Sequence, residues 1–229
     1  FAALSGRSLR PYWRDGEVPF YLGVLGASVL LIAAYLWHDN YYAEFATALR
    51  HAAFNTVSVA TTLGYASTDY SKWPFFAPLW MLFLCSFVTC SGSTGGGIKM
   101  MRAIVLYKQV FREITHAMHP NATTYVKFGG TIVSNKIILA VLGFGFLYMA
   151  STISFTLVLA ASGLDIVSSF SAAVACFNNT GPGLGLVGPD SNYGAFNDFQ
   201  VWVCSFAMLL GRLEIFTLLV VLTPAFWRK

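Results

Sequence analysis

Twice in this chain a long apolar segment is followed by a shorter one, a glycine-bearing loop and a second long apolar segment. The long members are residues 20–37, 75–90, 137–161 and 199–222; the short ones are residues 44–60 and 166–177. A helix that spans a bilayer needs about 20 apolar residues, whereas stretches of roughly 10–14 often prove re-entrant or interfacial. The loops after the short segments carry Gly64 and Gly181, which stand 117 residues apart in a chain of 229. An internal duplication is the economical reading.

Composition agrees with a polytopic membrane protein. Only 10% of the residues are charged and 56% are hydrophobic, against about 25% charged in soluble domains. The net charge of +4 comes from basic residues in loops and gives no pointer to nucleic acid. At the start, Arg7, Arg10, Arg14, Asp15 and Glu17 precede any apolar run, the wrong order for a cleavable signal peptide. The chain begins without Met and reads as a piece of a longer protein. Cys85, Cys90, Cys176 and Cys204 all lie in apolar stretches with no Cys-x-x-Cys pair, so they are expected as unpaired buried thiols. His38, His51, His116 and His119 show no ligand spacing. Ser, Cys and His never assemble with a plausible base, so no enzyme and no organic cofactor are expected.

Loop charges set the orientation. Arg7, Arg10 and Arg14, then Lys99, Arg102, Lys108, Arg112, Lys127 and Lys136, then Arg228 and Lys229 lie on one side. The other side holds Arg50 and Lys72 against Asp39, Glu44, Asp69, Asp165, Asp190 and Asp198. By the positive-inside rule the central loop and both ends face the cytoplasm. Both glycine loops then enter from outside, where the acidic residues would concentrate cations. Trp37, Trp73, Trp80, Trp202 and Trp227 fall near expected helix ends, as an aromatic belt would.

The first loop reads Thr61-Thr62-Leu63-Gly64-Tyr65. It resembles Thr-Val-Gly-Tyr-Gly, the loop whose carbonyls replace the hydration shell of K⁺ in potassium channels. Non-helical backbone at membrane depth is tolerated only where protein buries it or it lines a water-filled cavity. A filter exploits this: glycine permits the required backbone angles, and the preceding short helix aims the negative end of its dipole at the cation. The alternative is that Gly64 and Gly181 merely terminate helices.

Four motifs in order then resemble the Trk/Ktr/HKT superfamily of cation transporters, of the TrkH/TrkG potassium uptake type. Residues 55–65, from Asn55 to Tyr65, resemble the third repeat's pore helix and filter. Asn178-Asn179-Thr180-Gly181-Pro182-Gly183-Leu184-Gly185 resembles the fourth filter, and residues 90–99 and 210–216 match two further motifs. The resemblance covers essentially the whole chain and implies an all-α polytopic membrane protein with two helix–pore-helix–filter–helix repeats, half of a four-repeat pore. Residues 1–19 would be a cytoplasmic linker, 20–116 the third repeat, 117–136 a second cytoplasmic linker and 137–229 the fourth repeat. K⁺ would be the transported ion, held at Thr62, Leu63, Gly64, Asn179, Thr180 and Gly181, with Thr61 and Asn178 completing the filter. One glycine per repeat favours K⁺ in this superfamily, and serine there tends toward Na⁺. Both visible positions are glycine, although Pro182 and the Asn178-Asn179 pair depart from the channel pattern.

Ser91-Gly92-Ser93-Thr94-Gly95-Gly96-Gly97 interrupts the second long segment. A phosphate-binding loop needs Gly-x-x-x-x-Gly-Lys-Ser/Thr after a strand; Gly92 and Gly97 have the spacing, but Ile98 replaces the lysine. A passive kink is a second alternative. The resemblance implies a flexible intramembrane loop under the filter, and three consecutive glycines with small polar residues suit a gate. Arg212 lies within the fourth long segment, where a charge costs at least about 2.5–3.5 kcal/mol. Glu214 is two residues away, so the two side chains point in different directions on a helix. Arg212 either bridges to a neighbouring helix or, as the resemblance implies, sits in the permeation path. The gate would comprise Gly92, Ser93, Thr94, Gly95, Gly96, Gly97 and Arg212.

The expectation is K⁺ uptake across a bacterial inner membrane, in contact with lipid. The resemblance further implies a homodimer bound to a cytoplasmic ring of nucleotide-binding regulatory subunits. The rivals are a Na⁺-selective or Na⁺-coupled transporter of the same fold and a non-conducting membrane subunit.

Overall fold

The computed structural model describes residues 16–93, 95–213 and 215–227. Arg7, Arg10, Arg14, Asp15, Thr94, Glu214, Arg228 and Lys229 lie outside the described residues. The helices are α1 (Val18–His38), α2 (Phe45–Ala60), α3 (Phe76–Cys85), α4 (Met100–Met118), α5 (Asn135–Ala161), α6 (Ile166–Asn178), α7 (Asp198–Arg212), α8 (Ile215–Leu222) and α9 (Pro224–Trp227).

Among the described residues, α1 and α5 are long and apolar enough to cross a membrane, with mean hydropathies of 1.9 and 2.0. Only 22% and 28% of their most apolar windows are buried. A soluble core helix of that composition would be covered by its own chain; outward-facing apolar surface of this extent calls for lipid or another protein. The two remaining long segments are not single helices. The segment at 75–90 is helical only over Phe76–Cys85, because its next carbonyls are diverted. Ser86 O accepts from Ile98 N–H at 2.7 Å and Thr89 O from Met100 N–H at 2.7 Å, bonds made by the chain as it returns from the glycine cluster. The segment at 199–222 divides after Arg212, so Arg212 ends a helix instead of sitting midway along one.

The short helices occupy the interior. α1 packs along α2, while α6 is held between α5 and α7 and touched by α3. One core cluster joins Ile32 and Leu36 of α1, Ala48 and Ala52 of α2 and Met81 of α3, and is closed by Val174 of α6. A second surrounds the fully buried Phe177 of α6 with Phe144 and Tyr148 of α5, Cys204, Ala207 and Leu210 of α7 and Ile215 of α8. Thus α6 belongs to both. Its buried face is built from Ser169, Ser171, Ala172, Ala173 and Ala175, small side chains that let helices approach closely. On the basic helix α4, Arg102 stacks 4.1 Å from the Phe144 ring centroid, a cation–π contact that ties α4 to α5.

The linker at 117–136 is not featureless. Lys127–Phe128 (β1) pairs antiparallel with Thr131–Ile132 (β2) across Gly129-Gly130, both at positive φ as a tight hairpin turn requires. The fold is therefore mostly helical, with one small hairpin in this linker.

α6 begins at Asp165, whose Oδ2 accepts from Ser168 N–H at 3.0 Å. The bonds from Ser168 hold this carboxyl below the usual carboxylate range. Its contribution is present above about pH 4 and fades as pH falls through the lowered folded value. Asp165→Ala should destabilise the parent protein by about 1 kcal/mol and Asp165→Asn by much less, read as thermal unfolding in detergent. Equal losses in both would mean that the cap bond contributes nothing.

Candidate functional site

α2 and α6 end in the same way. Thr62 N–H donates to Val59 O at 3.1 Å and Leu63 N–H to Ser58 O at 2.9 Å. At an offset of 117 residues, Asn179 N–H donates to Cys176 O at 3.1 Å and Thr180 N–H to Ala175 O at 3.0 Å. Each pair is a Schellman end. The left-handed residue in it is Thr62 (φ 58°) or Asn179 (φ 55°), and Gly64 (φ 78°) or Gly181 (φ 97°) follows two residues later. The glycines therefore do not terminate the helices. Asparagine tolerates this conformation, but a β-branched threonine in it is an outlier of the strained kind that gathers at functional sites.

The two loops meet. A methyl group on Gly64 would strike the Thr180 carbonyl oxygen and lie 3.1 Å from Pro182 Cδ, so only a hydrogen fits there. Thr61 turns its hydroxyl back onto Val57 O at 2.7 Å. Asn179 Nδ2 reaches Met208 O of α7 at 3.3 Å. Thr180 is buried, and the Leu63 side chain is exposed. The Asn178 side chain is wholly buried and structural: its Nδ2 donates to Val174 O at 2.8 Å and lies 3.1 Å from Tyr148 Oη. The Asn178 carbonyl accepts from Gly96 N–H at 3.4 Å. The Gly181 carbonyl accepts from the Tyr193 hydroxyl at 2.9 Å. Two of the eight expected ion-binding carbonyls are thus already engaged by protein.

Polar side chains on each short helix clamp the loop that follows it. Asn55 donates through Nδ2 to Ser67 Oγ and accepts from Ser67 N–H through Oδ1, both at 3.0 Å. In the second unit Ser171 Oγ accepts from Leu184 N–H and donates to Leu184 O, both at 2.9 Å, and Ser168 Oγ accepts from Leu186 N–H at 2.9 Å. Ser67 and Leu184 are also 117 residues apart. Sequence reasoning assigned no role to Asn55, Ser168, Ser171, Tyr148 or Tyr193. The available signal was polar residues on short helices that are otherwise apolar.

Beneath the loops, the glycine cluster is seated against the C-terminal end of α6. A methyl on Gly95 would fall 2.7 Å from Thr89 Cγ2 and 2.9 Å from Thr62 Oγ1; one on Gly96 would fall 2.6 Å from Phe177 O. Gly97 crowds Asn178 Oδ1, while Gly92 faces open space. Thr89 Oγ1 donates to Gly96 O at 3.0 Å. From the opposite side Gly211 of α7 presses on the same Phe177 carbonyl. A cavity of about 140 Å³ lies between, lined by Ser93, Gly95, Gly96, Gly97, Lys99, Phe144, Tyr148, Gly211, Arg212 and Ile215. The structure thus brings Arg212 together with Ser93, Gly95, Gly96 and Gly97 of the glycine cluster but not with Ser91 or Gly92; Thr94 lies outside the described residues. The cluster follows helix α3 and not a strand, so the phosphate-loop alternative loses its required context.

Residues 26–229 match the family model of TrkH, described as a cation transport protein. The chain is 42% identical over 229 residues to the Trk system potassium uptake protein TrkH of Salmonella typhimurium, covering 100% of this chain and 47% of that protein. To the Trk system potassium uptake protein TrkG of Escherichia coli it is 35% identical over 229 residues, with the same coverage of 100% and 47%. The crystal structure of the potassium transporter TrkH from Vibrio parahaemolyticus is similar with a TM-score of 0.92 at 40% identity, over 100% of this chain and 49% of that one. The chain spans about half the length of the curated relatives it matches.

Gly211→Ala forces a methyl onto the Phe177 carbonyl and should destabilise the parent protein by about 1–3 kcal/mol. Gly92→Ala, in open space, should not. Thermal unfolding of the two purified variants side by side checks this; equal midpoints would show that α7 can move away from α6 without cost.

Proposed function

The chain belongs to the TrkH family of cation transport proteins, and on that premise we propose that it forms half of a potassium uptake pathway in a bacterial inner membrane. Residues 20–116 and 137–229 are then its two pore repeats, with α2 and α6 as pore helices. The observation that carries this reading is the common backbone course of the two loops at an offset of 117 residues, meeting where Gly64 touches the Thr180 carbonyl. Of the two left-handed helix ends, the one at Thr62 places a β-branched residue where it is strained, as functional sites often do.

Each pore helix directs the negative end of its dipole, worth about half an elementary charge, at its loop. Carbonyls of Thr62, Leu63, Gly64, Asn179 and Thr180 would replace the water shell of the ion. The Gly181 carbonyl contributes less, because Tyr193 occupies one of its lone pairs. The clamps at Asn55 and Ser171 stop the loops from collapsing around a smaller ion. Beyond the loops the ion would enter the cavity shared by Gly95, Gly96, Gly97 and Arg212. There a fixed positive charge raises the barrier to a second one, and the glycine segment opens or obstructs the way. Assembly as a homodimer on a cytoplasmic nucleotide-binding ring belongs to the same proposal, as does the transport of K⁺ as substrate.

The test is Rb⁺ uptake into proteoliposomes of the complete parent protein with excess K⁺ or Na⁺ as competitor. Block by K⁺ alone is expected, and equal block by both ions would sink the selectivity of the loops. Gly64→Ser should narrow the preference for K⁺ over Na⁺ by roughly tenfold, the equivalent of about 1.4 kcal/mol; an unchanged ratio removes Gly64 from the filter.

Arg212→Ala, and separately deletion of Gly95–Gly97, should raise Rb⁺ flux severalfold. Slower flux from a folded Arg212→Ala protein would assign Arg212 to bracing the helices. Unchanged flux and regulation after the deletion would end the gate reading.

A further inference from the structure

The glycine cluster is held at its other end by a residue far away in sequence. Glu17, the residue before α1, places Oε1 at 2.8 Å from the Ser91 backbone N–H and 3.0 Å from the Ser91 hydroxyl. Both bonds use one oxygen and reach across 74 residues of sequence. Ser91 is the first residue of the cluster, and its carbonyl accepts from Lys99 Nζ at 3.4 Å, so the two ends of the loop are drawn together around Ser91. Lys99 itself is strained, with φ at 67°. The segment bearing Glu17 is in turn fixed by the hairpin: a methyl on Gly16 would lie 3.0 Å from Gly129 N and 3.4 Å from the Phe128 ring. Hairpin, Gly16-Glu17 and Ser91 therefore form one contiguous stack on the side bearing the basic loops.

We propose that Glu17 is a positioning residue for the gate, holding the glycine loop in its closed seat through the paired hydrogen bonds to Ser91. This rests on the reading of that loop as a gate. The loop's inner end is seated by close packing of Gly96 against the Phe177 carbonyl and by backbone bonds, Gly96 N–H to Asn178 O and Thr89 Oγ1 to Gly96 O. Its outer end, where Gly92 and Ser93 are exposed, is tethered by Glu17. Releasing Ser91 frees the outer end while leaving the packing under α6 untouched, so Glu17 governs how readily the loop lifts and not what the filter selects. Because both bonds fall on a single oxygen, an amide carbonyl can accept the same pair, more weakly than a carboxylate does. The hold needs the acceptor, and the negative charge strengthens it.

The experiment uses the complete parent protein with Cys90→Ser and a reporter Gly92→Cys, a position with open space around it. The rate of modification by a charged, membrane-impermeant maleimide reads loop release, and Rb⁺ flux reads gating. Glu17→Ala should raise both about threefold or more, as for the loss of exposed bonds to a charged acceptor. Glu17→Gln, which keeps an acceptor without the charge, should fall between Glu17→Ala and the native protein in both, and the K⁺ over Na⁺ preference should stay constant throughout. Unchanged maleimide reactivity in a folded Glu17→Ala protein overturns the proposal, whatever the flux does. Raised reactivity with unchanged flux keeps the hold and instead removes the gate role of the loop. If Glu17→Ala fails to elute as a folded protein, Ser91→Ala, which deletes the hydroxyl bond alone, is read by the same two measurements and the same criteria.

Discussion

The last turn of α6 is the point on which the rest of the molecule depends. A helix leaves its final carbonyls without intrahelical partners, and in an apolar interior such groups must be met by something. Here the Asn178 carbonyl takes the Gly96 N–H, and the Phe177 carbonyl is walled in by Gly96 on one side and Gly211 on the other. Nothing with a β-carbon fits at either place. This close approach sets where the glycine cluster lies and where α7 crosses. It accounts too for why α3 stops at Cys85: the chain must leave the helix to reach this surface and then return to bond Ser86 and Thr89. Asn178 completes the junction by tying α6 to α5 through Tyr148.

Much of this was legible from composition and length. Residues 20–37, 44–60 and 166–177 were read as helices, and they are Val18–His38, Phe45–Ala60 and Ile166–Asn178. Apolar runs bounded by charge or glycine leave little else for those residues to do. The early end of α3 was not legible, because Phe87 and Val88 continue its apolar pattern. What unwinds them is a set of bonds to residues about a dozen positions ahead, invisible to any local pattern. The division after Arg212 was not legible either; it falls beside another long-range contact, that of Gly211 with α6. The hairpin carried a recognisable Gly-Gly signal and was passed over inside a charged linker.

The candidate site divides along similar lines. Its glycines and its arginine stood out because they are anomalous in apolar surroundings, and the structure gathers Gly95, Gly96, Gly97 and Arg212 around one cavity. The left-handed caps fell on Thr62 and Asn179, where residue type alone points to the neighbouring glycines. Asn55, Ser168 and Ser171 look like ordinary polar interruptions until their partners are known. Those partners are backbone groups of the following loop, and a polar residue's identity does not disclose which backbone it will meet. Identity itself came from the ordered set of motifs, which no single loop could have supplied.

Asn55 and Ser171 have a consequence for how the loops form. Each grips a backbone position three residues past its glycine, and each belongs to the short helix immediately before that loop. The clamping bonds of each loop therefore close within some twenty consecutive residues. Each clamp is thus a local device, settled before distant parts of the chain arrive. The contact between the loops, where Gly64 meets Thr180, is by contrast made only when residues more than a hundred positions apart come together.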